Sequence, residues 1–175
     1  MTEQDILIRD ATEEDLPAIL EIYNHSILNT TAVYDYKPHT LLMREEWFVQ
    51  KQQTGQPVLV AEKGRLIAGF ASYGPFRMWA AYKYTVENSI YVHPSFQGQG
   101  VGKQLLAVTI DKAKQADIHV VMAGIDATNK ASIRLHTGFG FKRAGCFEQV
   151  GFKFNRWLDL EFYQLLLQTP EHPAE

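Results

Sequence analysis

A glycine-rich turn just past the middle of the chain, Gln97-Gly98-Gln99-Gly100-Val101-Gly102, has the residue types of a phosphate-binding loop. Glycine lets the backbone approach a ligand closely and adopt positive φ. Leu105, Leu106 and Ile110 follow with helical spacing, so the turn leads into a helix. The free N–H groups and the dipole at a helix start favour an anion, most often phosphate. The segment therefore predicts a cradle for phosphate or pyrophosphate, and the alternative is a plain connection between a strand and a helix.

Two common phosphate-binding patterns do not fit this turn. A P-loop needs a glycine separated by four residues from its Gly-Lys pair, and Ser or Thr after the lysine. Here Gly102-Lys103 has Gln97 and Gln104 at those places. A dinucleotide fingerprint reads G-x-G-x-x-G after a first strand, whereas this turn reads G-x-G-x-G and lies past mid-chain. The turn therefore belongs to neither class.

The composition is that of an ordinary globular protein and excludes several classes. Of 175 residues, 46% are apolar and 21% are charged, which excludes a disordered, collagen-like or coiled-coil chain. The net charge of −3 leaves no basic excess to hold a nucleic acid backbone. Cys146 is the only cysteine, so an intramolecular disulfide is impossible, a cysteine-based metal site is implausible and a reducing cytosol fits. We predict no metal cofactor.

The length of 175 residues predicts a single domain, and the hydropathy pattern predicts a cytoplasmic protein. No stretch reaches 18 uninterrupted apolar residues, and the acidic start lacks the basic region of a signal peptide. We therefore expect neither a membrane span nor export. Residues 1–168 form the predicted domain, and residues 169–175, with two prolines and little apolar surface, form a predicted disordered tail.

Hydrophobic periodicity places strands and helices around the turn. The strand patterns lie at 6–9, 58–61, 66–73, 85–92 and 119–125, and two more occupy 141–167 with a break near Gly151. One helix pattern begins after a cap at Thr12, and three more cover 40–53, 101–115 and 131–137. This mixed order predicts an α/β sheet domain with an antiparallel part and at least one crossover.

Three segments together resemble the GNAT N-acetyltransferase superfamily. The turn fits its Q-x-x-G-x-G loop, Ser-Ile-Tyr-Val-His-Pro at 89–94 is similar to its central strand, and Asn-Lys-Ala-Ser-Ile-Arg-Leu-His at 129–136 is similar to its next helix. Within the superfamily the resemblance is strongest to the phosphinothricin and methionine sulfoximine acetyltransferases, and it covers residues 6 to 165. The segments that carry it are 29–33, 84–89, 131–136, 150–154 and 156–159.

The resemblance implies a GNAT-type α/β (α+β) fold, with a mixed, mostly antiparallel sheet of six to seven strands and about four helices. It implies direct transfer of an acetyl group from acetyl-CoA to the α-amine of a small amino-acid-like acceptor, without an acyl-enzyme. The implied acceptors are of the phosphinothricin, methionine sulfoximine or methionine sulfone type. It also implies a homodimer, and we expect no nucleic acid or membrane partner.

Two residues receive catalytic roles from the resemblance. Glu87, upstream of the loop, matches a glutamate that takes the amine proton, often through water, and the alternative is a solvated strand glutamate. His136 stands where many members have the tyrosine that protonates the leaving thiolate. It could replace that acid, help to move the amine proton, or be a packed or surface helix histidine.

The resemblance also assigns two groups of binding residues. Main-chain N–H groups near Tyr91 and Val92 would polarise the thioester, the loop would hold the pyrophosphate, and Asn129 would bind the pantetheine arm or cap its helix. The complete predicted coenzyme set is Tyr91, Val92, Gln97, Gly98, Gln99, Gly100, Val101, Gly102, Lys103, Asn129 and Ser132. The predicted acceptor set is Phe76, Arg77, Tyr82 and Glu87, with an exposed aromatic loop against a partner subunit as the alternative.

Other functions would keep the same fold. A GNAT enzyme could act on a protein N-terminus or a polyamine, although a polyamine site should be acidic and the candidate loop carries Arg77 and Lys83. A non-catalytic acyl-CoA-binding module would keep the loop and dispense with Glu87. Lys153 and Arg156 could contact the acceptor or a partner chain, or form a solvated strand face.

Overall fold

The computed structural model describes residues 5–175 of the protein. The strands are β1 (Ile6–Asp10), β2 (Val58–Lys63), β3 (Leu66–Pro75), β4 (Thr85–Val92), β5 (Val120–Asp126), β6 (Lys142–Lys153) and β7 (Arg156–Leu166). The helices are α1 (Leu16–Asn29), α2 (Leu41–Gln53), α3 (Val101–Gln115) and α4 (Lys130–Gly138). Short 3-10 turns lie at Glu13–Asp15, Ala80–Tyr82 and Pro94–Phe96.

The strands form one sheet in the order β1-β2-β3-β4-β5-β7-β6. Neighbouring strands are antiparallel except for β4 and β5, which are parallel. A parallel pair needs a crossover connection because the chain must return to the same end of the sheet, and α3 provides it. This mixed, mostly antiparallel sheet of seven strands with four helices confirms the predicted fold class.

Alternating side chains give the sheet two buried faces. On β2, Val58 and Val60 pack with α1 and α2, whereas Leu59 and Ala61 pack with α3. This alternation follows from the period of two in a pleated strand. Helix α3 also packs against the cluster that contains Val121 of β5. The central strands are therefore fixed between two helix layers, and so are the residues at their edges.

The last two strands turn at a different place from the one predicted. The break expected near Gly151 corresponds to a shift of register within β6, between Phe147 and Gly151, and Gly151 itself pairs with Leu158 inside the hairpin of β6 and β7. The chain turns at Phe154 and Asn155, which have φ of 50° and 56°. Positive φ at both central residues matches the twist of a two-residue hairpin, and asparagine adopts it readily. At Gly151 the lack of a side chain makes room for Tyr34, whose ring lies 2.8 Å from where a Cβ would be.

None of the helices within residues 5–175 is both long and apolar enough to cross a membrane. The cytoplasmic location stays a prediction. The segment after β7 is without helix or strand, and the Tyr84 hydroxyl donates to the carbonyl of Ala174 at 3.0 Å. The division into a domain at 1–168 and a disordered tail at 169–175 stays a prediction as well.

Candidate active site

A cleft of about 1240 Å³ opens where β4 and β5 separate. The two strands pair only from Thr85 with Val120 to Glu87 with Met122. Beyond that point β4 still pairs with β3, and β5 with β7, on their other edges. Their facing edges therefore present main-chain N–H and C=O groups to the cleft. A ligand that lies between the strands can bond to them much as an added strand would.

The glycine-rich turn closes one end of this cleft. Gly98 and Gly100 have φ of 74° and 83°, and a Cβ at either would meet nothing within 4 Å. The left-handed backbone, rather than lack of space, therefore requires glycine here. Gly100 is the N-cap of α3, so the N–H groups of its first turn have no partner within the helix. Together with the helix dipole, they suit a diphosphate.

Most of the predicted coenzyme residues line the cleft. Those in its wall are Tyr91, Val92, Gln97, Gly98, Gly100, Val101, Gly102, Lys103, Asn129 and Ser132. Gln99 is not in the wall. Its side chain instead donates to the carbonyl of Ser95 at 2.9 Å and accepts from Lys63 Nζ at 2.8 Å.

Two of these residues have structural contacts as well. The ring of Tyr91 packs in the core, with its centroid 5.3 Å from that of Tyr23 and 5.0 Å from that of Phe70. Tyr91 therefore offers the cleft its main chain rather than its hydroxyl. Asn129 caps α4, where its Oδ1 accepts from the N–H of Ser132 at 3.1 Å. This cap holds the start of α4 against the cleft.

Glu87 lies at the point where β4 and β5 part. Its Oε1 would be 2.8 Å from a Cβ added to Gly124, so the carboxylate lies directly over β5. Burial raises the pKa of Glu87, and this outweighs the charge of Arg77 and the hydrogen bond from the Gly124 N–H, which lower it. A carboxylate with a raised pKa at the wall of a cleft is suited to accept a proton near neutral pH.

His136 is buried in the wall formed by α4. Its Nδ1 lies 2.9 Å from the carbonyl oxygen of Ser132, and its Nε2 lies 3.2 Å from Asn88 Oδ1. Asn88 Nδ2 in turn donates to the carbonyl of Met122 at 2.9 Å, which bridges β4 and β5. Burial lowers the pKa of His136. Nothing in the sequence marked Asn88 for this bridge except its place next to Glu87.

The predicted acceptor residues, other than Glu87, lie beside the cleft rather than in its wall. The ring of Phe76 lies 5.9 Å from that of Tyr82 and 6.0 Å from that of Phe162. Arg77 stacks over Phe76 at 4.4 Å and is close enough to Glu87 to lower the pKa of its carboxyl. The structure therefore brings Arg77 towards Glu87, and it places Phe76 and Tyr82 in an aromatic cluster outside the main cleft.

Lys153 is buried and bonded to main chain, which excludes the solvated strand face that was one of its expected roles. Its ammonium donates to the carbonyls of Ile27 at 2.6 Å, Thr30 at 2.9 Å and Val33 at 2.6 Å. These carbonyls belong to the end of α1 and the loop that follows it. Lys153 therefore joins the hairpin of β6 and β7 to that loop, whose residues 30–32 line the cleft.

One polar group in the cleft was missed by the sequence reasoning. Asp126, at the end of β5, accepts hydrogen bonds on Oδ1 from the N–H and the hydroxyl of Thr128, both at 2.6 Å. Arg156 lies beside it, with Nη2 3.6 Å from Asp126 Oδ2, and both residues line the cleft with Thr31. These residues are far apart in sequence, and the only signal for Asp126 was its place at the end of an apolar strand.

Side chains that could ligate a metal ion are not clustered within residues 5–175. That part of the chain has no group of three or more His, Cys, Asp or Glu side chains that could hold a metal ion. Cys146 lies on β6 and is not in the wall of the cleft. The carboxylates in that wall are Glu87 and Asp126.

The chain is similar in sequence to characterised acetyltransferases. The profile of the acetyltransferase (GNAT) family matches residues 17–141. The L-methionine sulfoximine/L-methionine sulfone acetyltransferase of Salmonella typhimurium is 46% identical over 167 residues, which cover 95% of this chain and 96% of that protein. The phosphinothricin N-acetyltransferase of Streptomyces coelicolor is 34% identical over 163 residues, which cover 91% of this chain and 95% of that protein.

A solved structure shows the same fold at similar identity. The structure of yncA from Salmonella typhimurium with its cofactor acetyl-CoA has a TM-score of 0.92 and 46% identity, and the match covers 97% of this chain and 96% of that one. The profile, the identity and the shared fold confirm the resemblance that the motifs indicated. The chain belongs to the acetyltransferase (GNAT) family.

Proposed function

We propose that the protein transfers an acetyl group from acetyl-CoA to the α-amine of a small amino-acid-like acceptor, with Glu87 as the general base. The observation that carries the proposal is the position of Glu87, whose carboxylate stands where β4 and β5 open into a cleft that ends at the glycine-rich turn. The names of the relatives favour methionine sulfoximine, methionine sulfone or phosphinothricin as acceptors.

Two parts of the cleft fit two parts of coenzyme A. The first-turn N–H groups of α3 suit the diphosphate, and the facing strand edges suit the amides of the pantetheine arm. Acetyl-CoA bound there would supply the acetyl group as a thioester. Main-chain N–H groups near Tyr91 and Val92 would bind the thioester oxygen, where negative charge develops. One such donor is worth about 3 kcal/mol in acyl transfer.

Glu87 would remove the proton that keeps the acceptor from reacting. An α-amine has a pKa of about 8, so most of it is protonated at neutral pH. Glu87 would take this proton directly or through one water molecule. Because burial raises the pKa of Glu87, its carboxylate is a stronger base than that of an ordinary glutamate. The nearby charge of Arg77 opposes the rise and keeps the ionised form accessible.

His136 has a weaker claim to a role in proton transfer than Glu87 has. Burial lowers the pKa of His136, so the ring is neutral at neutral pH. Its Nδ1 lies against the Ser132 carbonyl and its Nε2 against Asn88 Oδ1, and the one N–H of the neutral ring can donate to either of these oxygens. Protonating a thiolate in the cleft would break the contact with Asn88. These contacts, together with the lowered pKa, favour a role for His136 in holding Asn88 and the wall of the cleft over a role as general acid.

Gly124 provides a test of the Glu87 position. A Cβ at this residue would lie 2.8 Å from Glu87 Oε1, so we expect Gly124→Ala to displace the carboxylate. Small misplacements of a reacting group have large effects on rate, and kcat should fall about 10-fold or more. Steady-state kinetics measures the change. Gly145→Ala is the control, because a Cβ there meets nothing within 4 Å. Equal kcat values for the two variants would remove Glu87 from the chemistry.

Arg77 would bind the carboxylate of an amino-acid acceptor. Its guanidinium is the cation that acts on Glu87, so an acceptor whose amine is at Glu87 has its carboxylate within reach. We expect Arg77→Ala to raise KM for the acceptor about 10-fold and to leave KM for acetyl-CoA unchanged. Initial-rate kinetics measures both KM values, and the control is Arg65→Ala, since Arg65 is an exposed turn residue. An unchanged acceptor KM would reject this contact.

The proposed acceptor class is tested by a screen of acetyl-CoA consumption. Purified protein is assayed with amino acids, methionine sulfoximine, methionine sulfone, phosphinothricin, polyamines and peptides with free N-termini. We expect turnover to be highest with the sulfur and phosphorus amino-acid analogues. Highest turnover with a peptide or a polyamine would show that the proposed acceptor class is wrong. Binding of the coenzyme without turnover of any amine would favour a non-catalytic module.

The proposal includes a homodimer, which the exposed apolar surface of the last hairpin supports. Val150, Phe152, Phe154 and Trp157 are each at least 45% exposed on β6, β7 and the turn between them. The rings of Phe152 and Trp157 pack against each other, with centroids 5.1 Å apart, and monomeric proteins rarely leave large apolar patches open to water. Light scattering of the purified protein should therefore give twice the chain mass of 20.0 kDa. A monomer at micromolar concentration would contradict the dimer.

A further inference from the structure

Two neighbouring side chains of β4 bond to the main chain of β5 at the point where the strands part. The last pair in register is Glu87 with Met122. Asn88 Nδ2 donates to the carbonyl of Met122 at 2.9 Å, and the Gly124 N–H donates to the carboxylate of Glu87. We call these four residues the fork. Main-chain groups of β5 at the end of the ladder therefore have side-chain partners from β4.

The two β4 side chains of the fork lie on opposite faces of the sheet, because successive residues of a strand point to opposite sides. Val86 packs in the core cluster with Leu106 of α3, so Asn88 is on that side and Glu87 is on the other. Asn88 accordingly contacts His136 of α4, whose Nε2 lies 3.2 Å from Asn88 Oδ1. The fork is therefore held from both faces, by the amide on one and by the carboxylate on the other.

The contacts of Asn88 fix the orientation of its amide. Asn88 is 8% exposed, and its nitrogen faces the Met122 carbonyl, so its oxygen is turned towards His136 and needs a donor there. The neutral ring with its N–H on Nε2 supplies that donor. Its Nδ1 can then accept from the hydroxyl of Ser132, which lies 3.4 Å away. A chain of hydrogen bonds thus joins α4 to the end of the ladder.

We propose that Asn88 is a positioning residue for acetyl transfer, which fixes the fork and so the distance from the thioester to Glu87. The N–H groups near Tyr91 and Val92 follow the fork on the same strand, so a change in where the strands part would move them relative to Glu87. His136 acts through Asn88, by holding the amide in the orientation that bonds to Met122. This inference rests on the proposed function, since it assigns the base to Glu87.

The variant Asn88→Leu tests the role of Asn88. Leucine has a similar size but can neither donate to Met122 nor accept from His136. We expect kcat to fall about 10-fold, because small misplacements of reacting groups have large effects on rate. The dissociation constant for acetyl-CoA, from calorimetric titration, should stay within about 2-fold, because the diphosphate site at the start of α3 is unchanged.

The matched control for Asn88→Leu is Thr109→Val. The hydroxyl of Thr109 is buried in α3 and donates to the carbonyl of Leu105 at 2.8 Å, and Thr109 is not in the wall of the cleft. This variant also loses a buried hydrogen bond, so its Tm should fall, but its kcat at 25 °C should match that of the wild type. A loss of stability alone is thereby separated from a change at the fork.

Two variants of His136 test whether it acts through Asn88. The amide of His136→Gln can still donate to Asn88 Oδ1 but cannot release a proton, whereas His136→Leu can do neither. We expect His136→Leu to lower kcat and His136→Gln to recover most of the loss. In the Asn88→Leu background, His136→Leu should lower kcat no further, since residues that act as a unit are not additive.

Several results would overturn the positioning role. They are a normal kcat in Asn88→Leu, an equal loss in the two His136 variants, or a double variant whose loss is the product of the single losses. The two His136 variants retain Asn88, so they decide the matter even if Asn88→Leu does not fold. A wild-type protein that acetylates no amine would instead overturn the proposed function, and the positioning role with it.

Discussion

Replacing Glu87 with glutamine should lower kcat about 100-fold or more and leave the affinity for acetyl-CoA unchanged. Glutamine has nearly the same shape, so the cleft and the glycine-rich turn keep their geometry. It cannot accept a proton from the acceptor amine, so the loss falls on the chemical step. Single-turnover kinetics and calorimetric titration of acetyl-CoA separate the two effects.

The pH dependence of kcat/KM of the wild-type enzyme is an independent test of Glu87 as the base. Burial raises the pKa of Glu87 above the 4.5 of an ordinary glutamate, so kcat/KM should fall at a higher pH than that value as the solution is acidified. The fall arises because the protonated carboxyl cannot accept the amine proton. This acid limb should be missing in Glu87→Gln.

The control for this variant is Glu45→Gln, at an exposed position on α2. It removes a carboxylate of the same kind far from the cleft, and it should keep both kcat and the acid limb. Near-normal turnover of Glu87→Gln, or an acid limb that persists in it, would assign the base to another group.

Replacing Lys153 with methionine should cause the largest loss of stability among single changes at the site. The change leaves the carbonyls of Ile27, Thr30 and Val33 without the ammonium that bonds to all three. Each buried carbonyl without a partner costs about 1–3 kcal/mol, partly offset because a buried charge is also removed. We expect a net loss of about 3 kcal/mol in the free energy of unfolding. For a protein of this size, that lowers Tm by roughly 6–12 °C.

Thermal and urea unfolding of the purified variant measure this loss. The matched control is Lys142→Met, also on β6, since Lys142 is exposed. Its Tm should stay within about 2 °C of the wild type, as for most surface changes. If the Tm of Lys153→Met also stayed within that range, the three carbonyls would have other partners and the role given to Lys153 would be wrong.

The fold was predictable where local patterns decide the structure. The strand at Thr85–Val92 and the helix at Val101–Gln115 have the bounds that periodicity and the glycine turn indicated. The turn of the last hairpin was not predictable, because the glycine at 151 is a stronger turn signal in the sequence than Phe154-Asn155. In the structure Phe154 and Asn155 adopt positive φ. At Gly151 the ring of Tyr34 leaves no room for a side chain.

The candidate site was predictable only in the part that is contiguous in sequence. The loop from Gln97 to Gly102 is recognisable from its own glycines and from the helix that begins after it, and both indicate a phosphate site. The pair of Asp126 and Arg156, and the bonds from Lys153 to the end of α1, join residues 30 to 126 positions apart. Such pairs depend on strand register and on how the hairpin folds back, which local periodicity does not encode.

The position of acetyl-CoA in a crystal of the protein would test the roles of the cleft and of Glu87 most directly. We expect the diphosphate on the N–H groups of the turn at 97–102, and the thioester between β4 and β5 on the side of Glu87. A diphosphate bound elsewhere, or a thioester remote from Glu87 with an acceptor analogue also bound, would contradict the assignment of the cleft and of the base.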